Sequence, residues 1–552
     1  MKILLIQPPI QDFYHTSIRT QPIGLAYLAA SLKSHGHDVE ILDCRVGKKK
    51  SIPIPPELSY LKDFYPFDDR SPFKLYTSYS HFGMAWEEIE QKIKDSGADV
   101  FGISSTFTPY FGEALEISRI VKEWSRKKTV VMGGAHVSCD PEGVLRSPFV
   151  DYAVMGEGEI RFPLLLEQIE MGKAGNIEQM DGIAYRKNGM IRINPLRNFI
   201  QGLDFLPHPA RELLDLDRYQ MRKRRSTMLI TSRGCPHGCT YCSTQRVMGN
   251  FFRTRAPEAI VKEMFECQRQ HGIEIFDIED DNFTFDQSRA KRLMNLIIEK
   301  FGERKCELSA MNGISFVSLD EELLRLMKRA GFHRINLSFV SADPLTRERT
   351  RRPEPNAEFD QILEQAERVG LNVIAYAILG MPGQTIEEMT DTLIYLMGKR
   401  VLIGGSIYYP TPGTPFLEIC KDEGVLPPHL SQWRSSAFPI ETKEFDRLDL
   451  LTLFRLTRVI NFIKGKVDGK ELDEGITWKD IFQFLKDKVE GKTKEVTWAE
   501  LLLAIFKDRS FFSVRKEAGG SLSMVKEMSS KKVLDYFFEK ALRNPILRSR
   551  NV

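Results

Sequence analysis

Hydrophobic positions in the first 170 residues fall into short runs separated by longer amphipathic stretches. Apolar runs lie at 3–7, 38–42, 100–104, 130–132 and 152–155, and helical spacing marks 24–32, 113–123 and 160–170. Brief buried strands alternating with helices predict a doubly wound parallel sheet. Ligands of such sheets sit at the carboxyl ends of the strands. Those ends read Gln7-Pro8-Pro9, Ser104-Ser105-Thr106, Gly133-Gly134-Ala135-His136 and Gly156-Glu157-Gly158-Glu159. Small and hydroxyl-bearing residues let a backbone approach a large flat ligand, and they also make ordinary tight turns. No G-x-G-x-x-G follows the first run, which argues against a dinucleotide site. A Pro- and aromatic-rich insertion at 46–80 carries no legible chemistry.

Farther along, strand patterns at 228–232, 273–278, 306–311, 334–339, 373–379 and 405–409 alternate with helical ones at 257–270, 287–300, 320–329, 357–369 and 386–397. Eight such units would close a barrel, so six predict an open, partial (β/α)6 barrel with its site at the carboxyl ends of the strands. The remainder is helical in pattern. Thr477-Trp478-Lys479-Asp480 and Thr497-Trp498-Ala499-Glu500 each read as an N-cap followed by an acidic third helical residue. The expected division is an N-terminal sheet domain at 1–185, a connector at 186–227, the barrel at 228–425 and a helical cover at 426–552. The connector's basic run, Arg222-Lys223-Arg224-Arg225, reads as a solvated face.

Composition narrows the class. The chain carries 78 Lys and Arg against 75 Asp and Glu, a formal net charge of +3, which is no nucleic-acid footprint. Hydrophobic residues at 42% and charged residues at 28% describe a globular chain. No apolar run approaches the roughly 20 residues of a membrane span, and the start lacks a signal peptide's apolar stretch, so a cytoplasmic location is expected. Eight cysteines in 552 residues do not make a disulfide scaffold. Five are scattered and read as small buried hydrophobes. Three fall within eight residues.

Those three stand in Ser232-Arg233-Gly234-Cys235-Pro236-His237-Gly238-Cys239-Thr240-Tyr241-Cys242, directly after the first barrel strand. Structural zinc normally takes four ligands, often as two paired C-x2-C units, and no second pair exists. Three thiolates suit a [4Fe–4S] cluster with one iron left open for chemistry. His237 lies inside the loop, as a further ligand or as loop filling.

The motif, at the first strand end of a six-unit partial barrel, resembles the radical S-adenosylmethionine superfamily. The resemblance implies that Cys235, Cys239 and Cys242 ligate three irons while S-adenosylmethionine chelates the fourth, and that its reduction yields a 5′-deoxyadenosyl radical. It places Tyr241 near the adenine, Asp280 and Asp281 near the cosubstrate's amino group, and Gly380 of Leu379-Gly380-Met381-Pro382-Gly383 at a further contact. The two aspartates also suit a turn and N-cap ahead of Gln287. One position departs from the pattern: Val340 stands where relatives often carry a glutamate. The N-terminal part resembles the cobalamin-binding domain of B12-dependent radical enzymes. That likeness implies corrin contacts from Gln7, Ser104, Ser105, Gly133, Gly134, Gly156 and Glu157, with residues 104–110 as the loop facing the corrin. No D-x-H-x-x-G segment exists, so cobalamin should lack a histidine lower ligand.

The family mechanism implies methyl transfer to an unactivated carbon or to phosphorus, with a reducing partner such as flavodoxin or ferredoxin. Cyclisation, oxidation or ring contraction with the same cofactors is the runner-up, and a corrinoid-binding or redox-sensing protein without turnover is a reading from another class. A methylthiotransferase fits poorly, because only Cys44 and Cys139 lie upstream. Charge and motif do not choose among small-molecule, lipid and peptide substrates.

Overall fold

A computed structural model of the chain describes residues 1–14, 21–171, 174–489 and 496–548. The N-terminal sheet runs, from one edge, Asp38–Asp43, Lys2–Gln7, Val100–Ser104, Thr129–Gly133 and Tyr152–Val154, all parallel. Alternation along the first strand explains the double winding. Ile3 and Leu5 face a core with Leu25, Leu32 and Phe162, while Leu4 and Ile6 face another with Phe101, Ile117 and Val121. A hairpin of Ile183–Lys187 and Met190–Ile193 then continues the sheet antiparallel.

Six parallel strands build the barrel: Arg224–Leu229, Ile275–Ile278, Glu307–Ser309, Arg334–Val340, Asn372–Leu379 and Leu402–Ile407. Strands one to three form one ladder and four to six another. Between the two ladders, isolated bridges pair Leu308 with Phe332 and Ile314 with Leu337. In the fifth strand Val373, Ala375, Ala377 and Leu379 are buried in the core that holds the helices' Phe359, Met389 and Leu393. The alternate residues Ile374, Tyr376 and Ile378 are less buried, on the concave face. The basic run is paired: Arg222 and Arg224 meet Glu307, and Arg225 meets Asp217.

The C-terminal part is mainly helical, with one hairpin of Phe512–Lys516 and Leu522–Lys526. Both anticipated caps form, Thr477 with Asp480 and Thr497 with Glu500. The long helix Arg447–Asp468 lies along the barrel's sixth strand. There Asn461 accepts from the Ile403 N–H at 2.9 Å and donates to its carbonyl at 2.8 Å, so one side chain satisfies an edge-strand residue. Nearby, the buried Lys464 ammonium donates to the carbonyls of Leu396, Lys399 and Val401 at 2.6–2.9 Å. The 46–80 insertion straps the N-terminal sheet to this cover: Tyr60 donates to the Ala437 carbonyl at 2.9 Å, and Asp69 accepts from the Val514 N–H at 3.0 Å.

Candidate active site

The cysteine loop leaves the first strand through Ser232–Arg233, which pairs antiparallel with Arg253–Thr254. Gly234 has φ +81°, and a Cβ there would lie 2.4 Å from the Phe251 carbonyl oxygen. Only glycine passes that point. Beyond it Cys235 is half-buried, Cys239 buried and Cys242 exposed, all as free thiols. Each sulfur has a polar neighbour: Asn282 Nδ2 at 3.8 Å from Cys235 Sγ, Arg352 Nη1 at 3.9 Å from Cys239 Sγ, and Thr244 Oγ1 at 3.3 Å from Cys242 Sγ. Burial raises the half-buried Cys235 thiol above its ordinary value, so bound metal is what would hold it ionised. Among the described residues no three ligand side chains converge on one metal ion. His237 packs edge-on against Phe285 at 6.0 Å, as loop filling.

The carboxylates after the second strand divide into separate tasks. Asp280 is fully engaged as a brace, accepting from the Thr231 N–H and from the Thr231 and Ser232 hydroxyls at 2.5–2.6 Å. Asp281 accepts from the Gly234 N–H at 3.0 Å and from Thr244 Oγ1 at 3.2 Å, tying both ends of the cysteine loop together. Neither caps the following helix, whose N-cap is Asp286. Tyr241 lies beside Cys239, and burial pushes its phenol well up. Gly380 is packed beneath Leu450, with its N–H on Met389 Sδ at 3.1 Å. Val340 has φ +70° at a register shift in the fourth strand. Arg352 reaches the same strand end, 3.4 Å from the Ser338 carbonyl.

A cavity of about 400 Å³ opens between the N-terminal sheet and the residues that flank the cysteine loop. Gln7, Ser104, Gly133, Gly134, Gly156 and Glu157 line it, joined by Thr106 and Phe107 from the 104–110 loop. Its far wall is Ser232, Arg233, Val247, Glu279 and Asp281. Ser105 is not in the lining: it is buried, and its backbone bridges the Gly133 carbonyl and the His136 N–H. A Cβ at Gly134 would come within 2.6 Å of the Ser105 oxygen, so the crossing at this strand end needs glycine. His136 is also outside the lining, and burial holds its ring down at about 4, neutral. Glu157 lines the cavity with its carboxylate already spent on Arg233, Arg253 and the Ile200 N–H. The resemblance implies Glu157 as a corrin contact, and the salt bridges give its side chain a different task.

The cavity suits a large, mainly apolar ligand. Gly24 opens onto it with nothing within 4 Å of a hypothetical Cβ. Gln21, also in the lining, has a buried Nε2 with no partner among the described residues, while its Oε1 accepts from Thr227 and Met228. Pattern reading did not single out Gln21, Arg233, Glu279 or Arg352. Arg233 and Glu279 adjoin recognised motifs, whereas Gln21 and Arg352 carry no local signal.

Two family models match this chain: the Radical SAM superfamily over residues 229–396 and the B12 binding domain over residues 76–166. The chain is a radical SAM protein with a B12-binding domain. Its cofactors are therefore a [4Fe–4S] cluster, S-adenosylmethionine and cobalamin. An uncharacterized methyltransferase of Pyrococcus horikoshii is 27% identical over 86% of this chain and 95% of its own length. Cytidylyl-2-hydroxyethylphosphonate methyltransferase of Streptomyces wedmorensis is 27% identical over 78% of this chain and 84% of its own. Among solved structures, the radical SAM methyltransferase TsrM from Kitasatospora setae, with cobalamin and [4Fe–4S] cluster bound, superposes with a TM-score of 0.59. It shares 19% identity over 76% of this chain and 78% of that one, a likeness of fold. Among the described residues no helix is long and apolar enough to cross a membrane.

Proposed function

We propose that this radical SAM protein is a cobalamin-dependent methyltransferase acting on an unactivated carbon or on phosphorus. The observation that carries the reading is the shared cavity, whose one wall is the strand ends of the B12-binding domain and whose other is Ser232, Arg233, Val247 and Met248, which flank the cysteine loop on either side. In this reading Cys235, Cys239 and Cys242 hold the cluster. Bound together, the cofactors supply a one-electron cleavage that makes a carbon radical and a methyl group for transfer. Asn282 and Arg352 direct N–H donors at the Cys235 and Cys239 sulfurs, stabilising negative charge there. Asp281 holds Gly234 and Thr244, which keeps the loop in one conformation. Gly24, Gly133 and Gly156 leave room for the corrin, and Phe107, Val247 and Met248 keep the shared space apolar. A reductant such as flavodoxin or ferredoxin supplies the electron.

Two relatives being methyltransferases supports methyl transfer over cyclisation. The test is anaerobic reconstitution with iron, sulfide and hydroxocobalamin, followed by S-adenosylmethionine labelled in its methyl group. We expect 5′-deoxyadenosine, and label in the product. Cleavage that survives replacement of all three cysteines by alanine overturns the cluster site. Product without label favours cyclisation or oxidation.

A further inference from the structure

We propose that Glu157, Glu159, Arg233 and Arg253 form a buried clamp that sets the position of the cysteine loop relative to the corrin-facing turn. Glu157 Oε1 meets Arg233 Nη1 at 2.9 Å and Arg253 Nη1 at 2.8 Å, and Glu159 Oε1 meets Arg233 Nη2 at 2.6 Å. All four side chains are less than 9% exposed. The two glutamates belong to the Gly156–Glu159 turn of the B12-binding domain, and Arg233 stands two residues before Cys235. The inference rests on the reading of the cavity and the three cysteines as the two cofactor sites.

Stability alone is a poor reason for such a network, since packed hydrophobic residues commonly serve as well as a buried ion pair. What charged forks provide is direction, because each guanidinium holds its partners in one plane at fixed distance. The arginines are held on their other faces too. Arg233 lies over the Tyr27 ring at 5.4 Å, and Arg253 lies against Phe199 and Phe251 at 5.5 and 5.3 Å. Arg253 also donates to the Ile200 carbonyl at 2.6 Å, while the Ile200 N–H donates to Glu157 at 2.8 Å. From behind, Arg161 donates to the Glu157 carbonyl at 2.8 Å. The turn is thus fixed from both sides, and Arg233 carries its position into Gly234 and Cys235. These are positioning residues: their guanidinium and carboxylate groups are turned on one another.

The test is pulsed electron paramagnetic resonance on the reconstituted full chain carrying cob(II)alamin and the reduced cluster, both paramagnetic. The unaltered protein should give a single narrow inter-spin distance distribution. Glu157→Gln and Arg253→Gln should broaden or shift it with both cofactors still bound, and Glu142→Gln, on the exposed Arg146 pair, should leave it unchanged. An unchanged distribution in the clamp variants overturns the proposal. So does a broad one in the unaltered protein, which decides the matter even where a variant loses a cofactor. Failure of the unaltered chain to retain corrin or iron is a different result and overturns the site reading instead.

Discussion

Replacing Gly234 by alanine adds one methyl group at the entrance to the cysteine loop. Its Cβ would stand 2.4 Å from the Phe251 carbonyl oxygen and 2.9 Å from that of Met248, both backbone atoms that cannot swing aside. An L-residue at φ +81° costs about 1–2 kcal/mol by itself. Relieving the clash moves the Gly234 N–H away from Asp281, and a hydrogen bond to a charged acceptor is worth about 1.5–3 kcal/mol. The two together give about 2.5–5 kcal/mol against the native loop, a factor of about 60 to about 4,000 in its population. Because the cost is local, the variant should fold with the usual secondary structure and a nearly unchanged melting temperature. Its iron content after reconstitution should collapse, along with the visible absorbance of the cluster. A Gly234→Ala protein that takes up iron and sulfide to the same level and cleaves S-adenosylmethionine at the same rate would refute the argument.

Other expectations follow from single contacts. Burial and the neighbouring Asp277 carboxyl push Glu279 up to about 7 from its ordinary 4.5, so the folded state holds more protons than the unfolded one between those values. Stability from this group therefore falls as pH climbs from about 4.5 to about 7, and Glu279→Gln should flatten that part of the melting-temperature profile; parallel profiles would exclude the assignment. Arg352→Gln and Asn282→Ala remove N–H donors from Cys239 and Cys235 and should move the cluster's midpoint potential to more negative values with iron content retained. A potential that stays fixed in both would count against those contacts. Asn461→Ala strips both partners from Ile403 and should cost about 2–6 kcal/mol, at about 1–3 kcal/mol for each buried group left unpaired. An unchanged denaturant midpoint would contradict it.

Periodicity made most of the architecture legible. Strands buried on both faces write continuous apolar runs, and the helices beside them carry their ends in the sequence, as Thr385 with Glu388 and Thr497 with Glu500 do in closing capping boxes. The Ile183–Ile193 hairpin escaped although its signal was present. Asn188-Gly189 takes positive φ at both residues, the pair that a tight hairpin favours, but the exposed strand after it has no apolar alternation to mark it. Within the site, the cysteines and the glycine-bearing strand ends were readable because their chemistry is local. The task of Glu157 was not. Its partners lie 76 and 96 residues away, and nothing near them in sequence announces which carboxylate they will meet. Arg352 escaped for the same reason, being 113 residues from the sulfur it approaches.

The helix Arg447–Asp468 has a consequence for how this barrel could be exchanged between proteins. An outermost strand with open N–H and carbonyl groups is a template for whatever strand comes next, including that of another molecule. In this chain the side chain of Asn461 occupies that position at Ile403, 58 residues downstream. The catalytic barrel is consequently not a cassette that ends where its last strand ends. A graft that carried the strands but substituted a different tail would expose a sticky margin and invite self-association. New specificities built by changing the tail must keep one amide in register with the sixth strand.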